Sequence, residues 1–103
     1  MHIQVNSNHS INVTQGLEDS IRATVEGELE RFGDFLTRVE VHINDENAGK
    51  AGPQDKRCQI EARMKHHEAL SVTHKAESLD LAVDGAAAKM THALEHTIGK
   101  LRR

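Results

Sequence analysis

KRCQIEARMK, residues 56–65, alternates with a period of two. Cys58, Ile60, Ala62 and Met64 fall on one side and Arg57, Gln59, Glu61, Arg63 and Lys65 on the other, the pattern of a strand with one face in a core and one in water. After a tight connection over His66–Ala69 the alternation resumes: Leu70, Val72, His74 and Ala76 point inward, Ser71, Thr73 and Lys75 outward. So short a link makes the two strands an antiparallel pair. Upstream, Val39, Val41 and Ile43 alternate with Glu40 and His42, which predicts a further strand. The intervening Asn44–Asp55, with Gly49, Gly52, Pro53 and two asparagines, reads as a long hairpin loop. Asp45, Glu46 and Asp55 in that region lack the ligand spacing of a calcium loop.

Outside this meander the period changes. Thr14 offers an N-cap hydroxyl, and Leu17, Ile21, Val25, Leu29, Phe32 and Leu36 recur at steps of three and four, predicting a helix from Gln15 to Leu36. Before it, Ile3 and Val5 alternate with polar neighbours as a short first strand. After the meander, AVDGAAAKMTHALEHTIGKLRR, residues 82–103, is helical in pattern: Val83, Ala87, Met90, Leu94 and Leu101 gather on one side. The element order is therefore β-α-β-β-β-α. A right-handed crossover makes the first two strands parallel, and both helices must cover one face of the sheet. The expected fold is an α+β two-layer sandwich on a four-stranded mixed sheet, formed as one domain over residues 1–103.

Composition narrows the function. Hydrophobic residues are 37% and charged residues 28%, too apolar for disorder. Phe32 and Phe35 are the only aromatics, so stacking on exposed bases is not a general mode of binding here. Cys58 is the single cysteine, which excludes an intrachain disulfide or thiolate zinc site and favours the reducing cytoplasm. No run reads as a leader peptide or a membrane span. The net charge of −3 is unevenly spread: residues 1–49 carry three arginines against nine acids, residues 50–103 ten cations against seven acids. The basic half can face phosphate although the whole is acidic.

Two surfaces concentrate that charge. On the last helix, Lys89, His92, His96, Lys100 and Arg103 fall within about 80° of one another, opposite the apolar seam. A cationic ridge backed by a buried face suits a helix lying along phosphate oxygens, and it is also what a solvated basic face looks like. On the sheet, alternation puts Arg57, Arg63, Lys65 and Lys75 on the open face, a second candidate phosphate surface. The first helix carries the opposite sign: Asp19, Glu26, Glu30 and Asp34 form an acidic outer ridge. No serine or cysteine nucleophile stands in a recognisable constellation with a base, so no enzyme is expected. His92 and His96 at i, i+4 lack a third ligand, so no metal or other cofactor is expected either. His74, pointing inward, reads as a core imidazole.

INVTQGL at Ile11–Leu17, RFGDFLTRVEVHIN at Arg31–Asn44 and HKAESLDLAVDGAAAKMTHAL at His74–Leu94 together carry a resemblance. With this element order, the chain resembles the ribosome hibernation-promoting factor and ribosome-associated inhibitor family, the sigma-54 modulation or S30EA-like proteins, over nearly its whole length. The resemblance implies a dsRNA-binding-like fold. It implies docking on the 30S subunit in the channel for messenger and transfer RNA, contact with 16S rRNA rather than DNA, and inhibition of translation during stasis. A chain stopping at Arg103 looks like a short form without the C-terminal dimerisation domain of long members. By position, the resemblance makes Lys89 and Lys100 rRNA-facing cations, with Arg102 and Arg103 extending the run; His92 and His96 stand where family members commonly have Arg or Lys, and Asp80 where a Tyr is often found. The other reading is a divergent protein-interaction module of the same fold that does not bind ribosomes and meets a basic partner through Asp19, Glu26, Glu30 and Asp34.

Overall fold

A computed structural model describes residues 1–8, 10–46 and 56–101. Its elements run β1 (His2–Ser7), α1 (Gln15–Leu29), a 3-10 turn (Glu30–Phe32), β2 (Leu36–Asp45), β3 (Lys56–Met64), β4 (Leu70–Ala76) and α2 (Leu79–Leu101). The strands form one sheet in the order β1-β2-β3-β4, with β1 parallel to β2 and the other pairs antiparallel. This is the expected α+β sandwich of order β-α-β-β-β-α. α1 lies over β1, and α2 lies over β3 and β4 and beside α1. Val25, Leu29, Val39, Val41, Ile60, Met90 and Leu94 fill the space between the layers and are fully buried.

Register follows from the apolar alternation, since a slip of one residue would turn every core side chain to water. Ile3 pairs with Val39 and Val5 with Val41; Val41 pairs in turn with Ile60, and Ile60 with Val72. The β3–β4 connection uses His66 in the left-handed region, at φ 61°. Thr14 caps α1 as expected, its hydroxyl accepting from the Leu17 N–H at 3.1 Å.

The first helix is shorter than its apolar spacing predicts. It ends at Leu29, where the backbone turns to φ −102°, ψ 0°, and tighter turns follow: the Gly33 N–H donates to the Glu30 carbonyl and the Phe35 N–H to that of Phe32. Phe32 and Leu36 are buried all the same, because steps of three and four also suit a 3-10 turn entering a strand. Leu36 is a strand residue paired with Met64, and Asp34 lies beyond the helix that was to carry it.

α2 starts three residues before the predicted Ala82. The Ser78 hydroxyl accepts from the Leu81 N–H at 3.2 Å, and Asp80 in the first turn suits the positive helix end. Val83, Ala87, Met90 and Leu94 are buried as expected. Leu101 is not: Ile98 takes the last seam position, and Leu101 is 56% exposed. Near its start α2 comes close to β4 because Gly85 has no side chain. The His74 ring occupies that space, and a Cβ at residue 85 would sit 2.1 Å from it.

Both sheet edges receive a cation from the helix above. Arg22 Nε donates to the Ile3 carbonyl of β1 at 3.5 Å, and Lys89 Nζ to the Thr73 carbonyl of β4 at 2.8 Å. Long cationic side chains there blunt the template that an open edge offers to another strand.

Candidate nucleic-acid interface

The candidate cations occupy two surfaces, one on the helix layer and one on the opposite, open face of the sheet. Arg102 and Arg103, and His9 and the Asn47–Asp55 part of the expected loop, lie outside the described residues.

On α2, Lys89, His92, His96 and Lys100 are exposed and share one stripe. By helical rise Lys89 and Lys100 are separated by about 16 Å along the axis. Among the described residues none of the four meets a carboxylate. The acid within the stripe's length, Glu95, is turned the other way and pairs with Arg31 at 3.1 Å. Arg31 is itself held over the Phe32 ring, 4.5 Å from its centre. The turn after α1 thus draws away the negative charge that would oppose the stripe. Lys89 donates to the Thr73 carbonyl, a neutral acceptor rather than a carboxylate, which fixes its side chain at the β4 side of the helix.

The open sheet face has more cations and a different balance. Arg63 Nε lies 3.4 Å from Glu61, and its terminal nitrogen 3.9 Å from Glu40; Arg38, a cation the period-two pattern of β2 should have flagged, lies 3.9 Å from Glu40. Arg38 also donates to Gln4. At the other end, Glu46 accepts both Arg57 at 3.6 Å and Lys75 at 2.9 Å. These pairs are partly exposed, so each adds little stability, yet each offsets the field that a phosphate would feel. Lys65, exposed in the turn after β3, stands apart from these clusters.

The acidic ridge is also less continuous than its sequence suggests. Asp19 pairs with Arg22 at 3.4 Å and accepts from Gln15 at 2.8 Å, while Glu30 and Asp34 lie past the end of α1. Cys58 is fully buried on β3, and burial pushes its thiol up from 9.0 to about 12 against a smaller opposing pull from Arg57. It is a packing residue with no thiolate to offer at neutral pH. Among the described residues, no three His, Cys, Asp or Glu side chains are grouped to hold a metal ion, and no helix is long and apolar enough to cross a membrane.

No curated protein sequence matches the chain. Its fold is similar to that of the N-terminal domain of Thermus thermophilus protein Y, with a TM-score of 0.74 and 18% identity over 94% of this chain and 99% of that one. It is also similar to a ribosomal subunit interface protein from Coxiella burnetii, with a TM-score of 0.72 and 15% identity over 96% of this chain and 99% of that one. At such identities these likenesses speak for the fold alone. The family model for sigma 54 modulation protein / S30EA ribosomal protein matches residues 3–102. With a match across nearly its whole length, the chain belongs to the sigma 54 modulation protein / S30EA ribosomal protein family.

Proposed function

We propose that this protein is a ribosome-associated hibernation factor that binds the small subunit near the messenger and transfer RNA channel and inhibits translation by occupying it. The family match over residues 3–102 carries the reading. The α2 stripe supports it with a means of attachment: Lys89, His92, His96 and Lys100 present charge and hydrogen-bond donors along one line, clear of carboxylates among the described residues. Such a line suits the phosphates of 16S rRNA. Arg102 and Arg103 extend it in sequence. Arg57, Arg63, Lys65 and Lys75 add a weaker contribution, since all but Lys65 share their charge with Glu40, Glu46 or Glu61.

The action is steric and electrostatic rather than catalytic. Each phosphate contact releases counterions, so affinity falls with salt at a slope of about 0.9 per contact on duplex-like RNA. Sedimentation through sucrose gradients tests the function. The protein should co-migrate with 30S or 70S particles at low salt, leave them at high salt, and lower the yield of a cell-free translation reaction at the low-salt condition. A protein that stays at the top of the gradient at every salt concentration is not a ribosome-binding factor.

A further inference from the structure

Cross-strand register arranges the outward side chains of the sheet in rows. One row is Gln4, Glu40, Glu61 and Ser71, with Arg38 and Arg63 beside it; another is Asn44, Arg57 and Lys75, closed by Glu46. Both are ion-paired. Between them runs Asn6, His42, Gln59 and Thr73, a row of uncharged, half-buried polar groups. Here the surface recedes into a concavity of about 360 Å³ lined by Asn6, Asn8, His42, Asn44, Arg57 and Gln59. That volume is at the lower end of small-ligand sites, which run from about 300 to 1,000 Å³.

The neighbouring hydrogen bonds fix what the row offers. Gln4 Nε2 donates to Asn6 Oδ1 at 2.9 Å, which uses the Asn6 acceptor and leaves its amide N–H groups as donors. Gln59 Nε2 donates to Ser71 Oγ at 3.0 Å, which leaves Gln59 Oε1 as an acceptor. His42, one strand spacing of about 4.8 Å from each, has no hydrogen-bond partner among the described residues and supplies an imidazole N–H. Half-buried polar groups with unused capacity are an incomplete arrangement that a hydrogen-bonding ligand completes.

Resting on the RNA-binding reading above, we propose that Gln59, His42 and Asn6 form a seat for one unstacked nucleobase and favour bases whose Watson–Crick edge sets an amino group beside a ring-nitrogen acceptor. Adenine and cytosine each place an amino donor beside a ring-nitrogen acceptor. Gln59 Oε1 takes the amino hydrogen, and the His42 N–H donates to the ring nitrogen. The Asn6 amide is left for the ribose hydroxyl. Uracil and guanine present the reverse order, a carbonyl beside a ring N–H, and meet an acceptor with an acceptor at Gln59. Recognition is by hydrogen bonds to base edges, as single-stranded RNA is commonly read, and does not call on the aromatic residues this chain lacks.

Fluorescence anisotropy with labelled ten-nucleotide oligo(A), oligo(C) and oligo(U) at one low salt concentration tests the seat. The wild type should bind oligo(A) and oligo(C) about tenfold more tightly than oligo(U), the effect of one good base-edge pair. Gln59→Met should abolish that preference while retaining the melting temperature and the salt-sensitive binding to all three; His42→Ala should do the same independently. Equal wild-type affinities for the three oligomers, or a preference that survives both substitutions, overturns the seat while 30S binding still stands. Absence of any binding to oligomers and to 30S particles overturns the RNA reading with it. AMP added as competitor identifies the source of the base: displacement at nucleotide concentrations matching oligo(A) marks a free nucleotide as the occupant, and displacement by the oligomer alone marks an RNA strand.

Discussion

The open face of the sheet carries five cations, Arg38, Arg57, Arg63, Lys65 and Lys75, and the described stripe of α2 two, Lys89 and Lys100, with His92 and His96 between them; the two surfaces differ in what stands beside that charge. On the sheet, Glu40, Glu46 and Glu61 lie within 4 Å of Arg38, Arg57, Arg63 or Lys75. On α2, Glu95 is pulled across to Arg31 and the stripe is left to Lys89, His92, His96 and Lys100. A phosphate surface is defined by uncompensated charge, not by a count of Lys and Arg. In an acidic chain this distinction makes the α2 stripe the better candidate for phosphate contacts.

The sharpest way to break the comparison is to separate stability from binding on α2 itself. Leu94, fully buried, lies on the opposite side of the helix from Lys100. Leu94→Ala should cost about 2–5 kcal/mol in chemical denaturation, whereas Lys100→Gln should stay within about 0.5 kcal/mol and weaken ribosome binding. An unchanged midpoint for Leu94→Ala would mean that the helix faces are wrongly assigned. The core makes a further prediction through Cys58. Its proton is held more tightly in the folded than in the unfolded chain, so stability should fall as pH rises from about 9 towards 12, and alkylation at pH 8 should await unfolding. Cys58→Ala should remove that alkaline decline.

A smaller effect comes from the histidines of the stripe. Their ring N–H groups add donors between Lys89 and Lys100, so a His92→Ala, His96→Ala double variant should bind 30S particles about fivefold more weakly at low salt. Equal affinity in the wild type and the double variant would make the histidines ordinary surface residues. The smallest expected change sharpens the sheet side. Glu46→Gln removes the carboxylate that Arg57 and Lys75 share, and affinity for RNA should rise by about two- to threefold at low salt, the worth of a few tenths of a kcal/mol. No gain would mean that the sheet face lies away from RNA in the complex.

The elements were legible where periodicity alone decides. KRCQIEARMK can bury Cys58, Ile60, Ala62 and Met64 only as a strand, and its register with β2 and β4 follows from that constraint. The stripe of α2 was legible too, since it needs only the angle between residues. The end of α1 was not, because Leu29, Phe32 and Leu36 keep helical spacing through a 3-10 turn and into β2. Leu101 keeps the seam's phase, but phase does not tell how far along the helix burial extends. The neutralised sheet face depends on which residues stand opposite one another: Arg38 against Arg63, Glu40 against Glu61, and Glu46 reaching two strands. That information lies in register, and so does the uncharged row of Asn6, His42 and Gln59.

The measurement that tests the central claim most directly is a 30S-binding titration of two charge-reversed proteins over a range of salt. One carries Lys89→Glu and Lys100→Glu, the other Arg57→Glu and Arg63→Glu, with melting temperatures confirming that both fold. The helix variant should lose at least about tenfold in affinity at low salt, and its salt slope should flatten by about 2 units as two phosphate contacts disappear. The sheet variant should keep the wild-type slope and lose about threefold or less. A sheet variant that loses more than the helix variant, or a helix variant that binds as the wild type does, would contradict the assignment of the phosphate surface to α2.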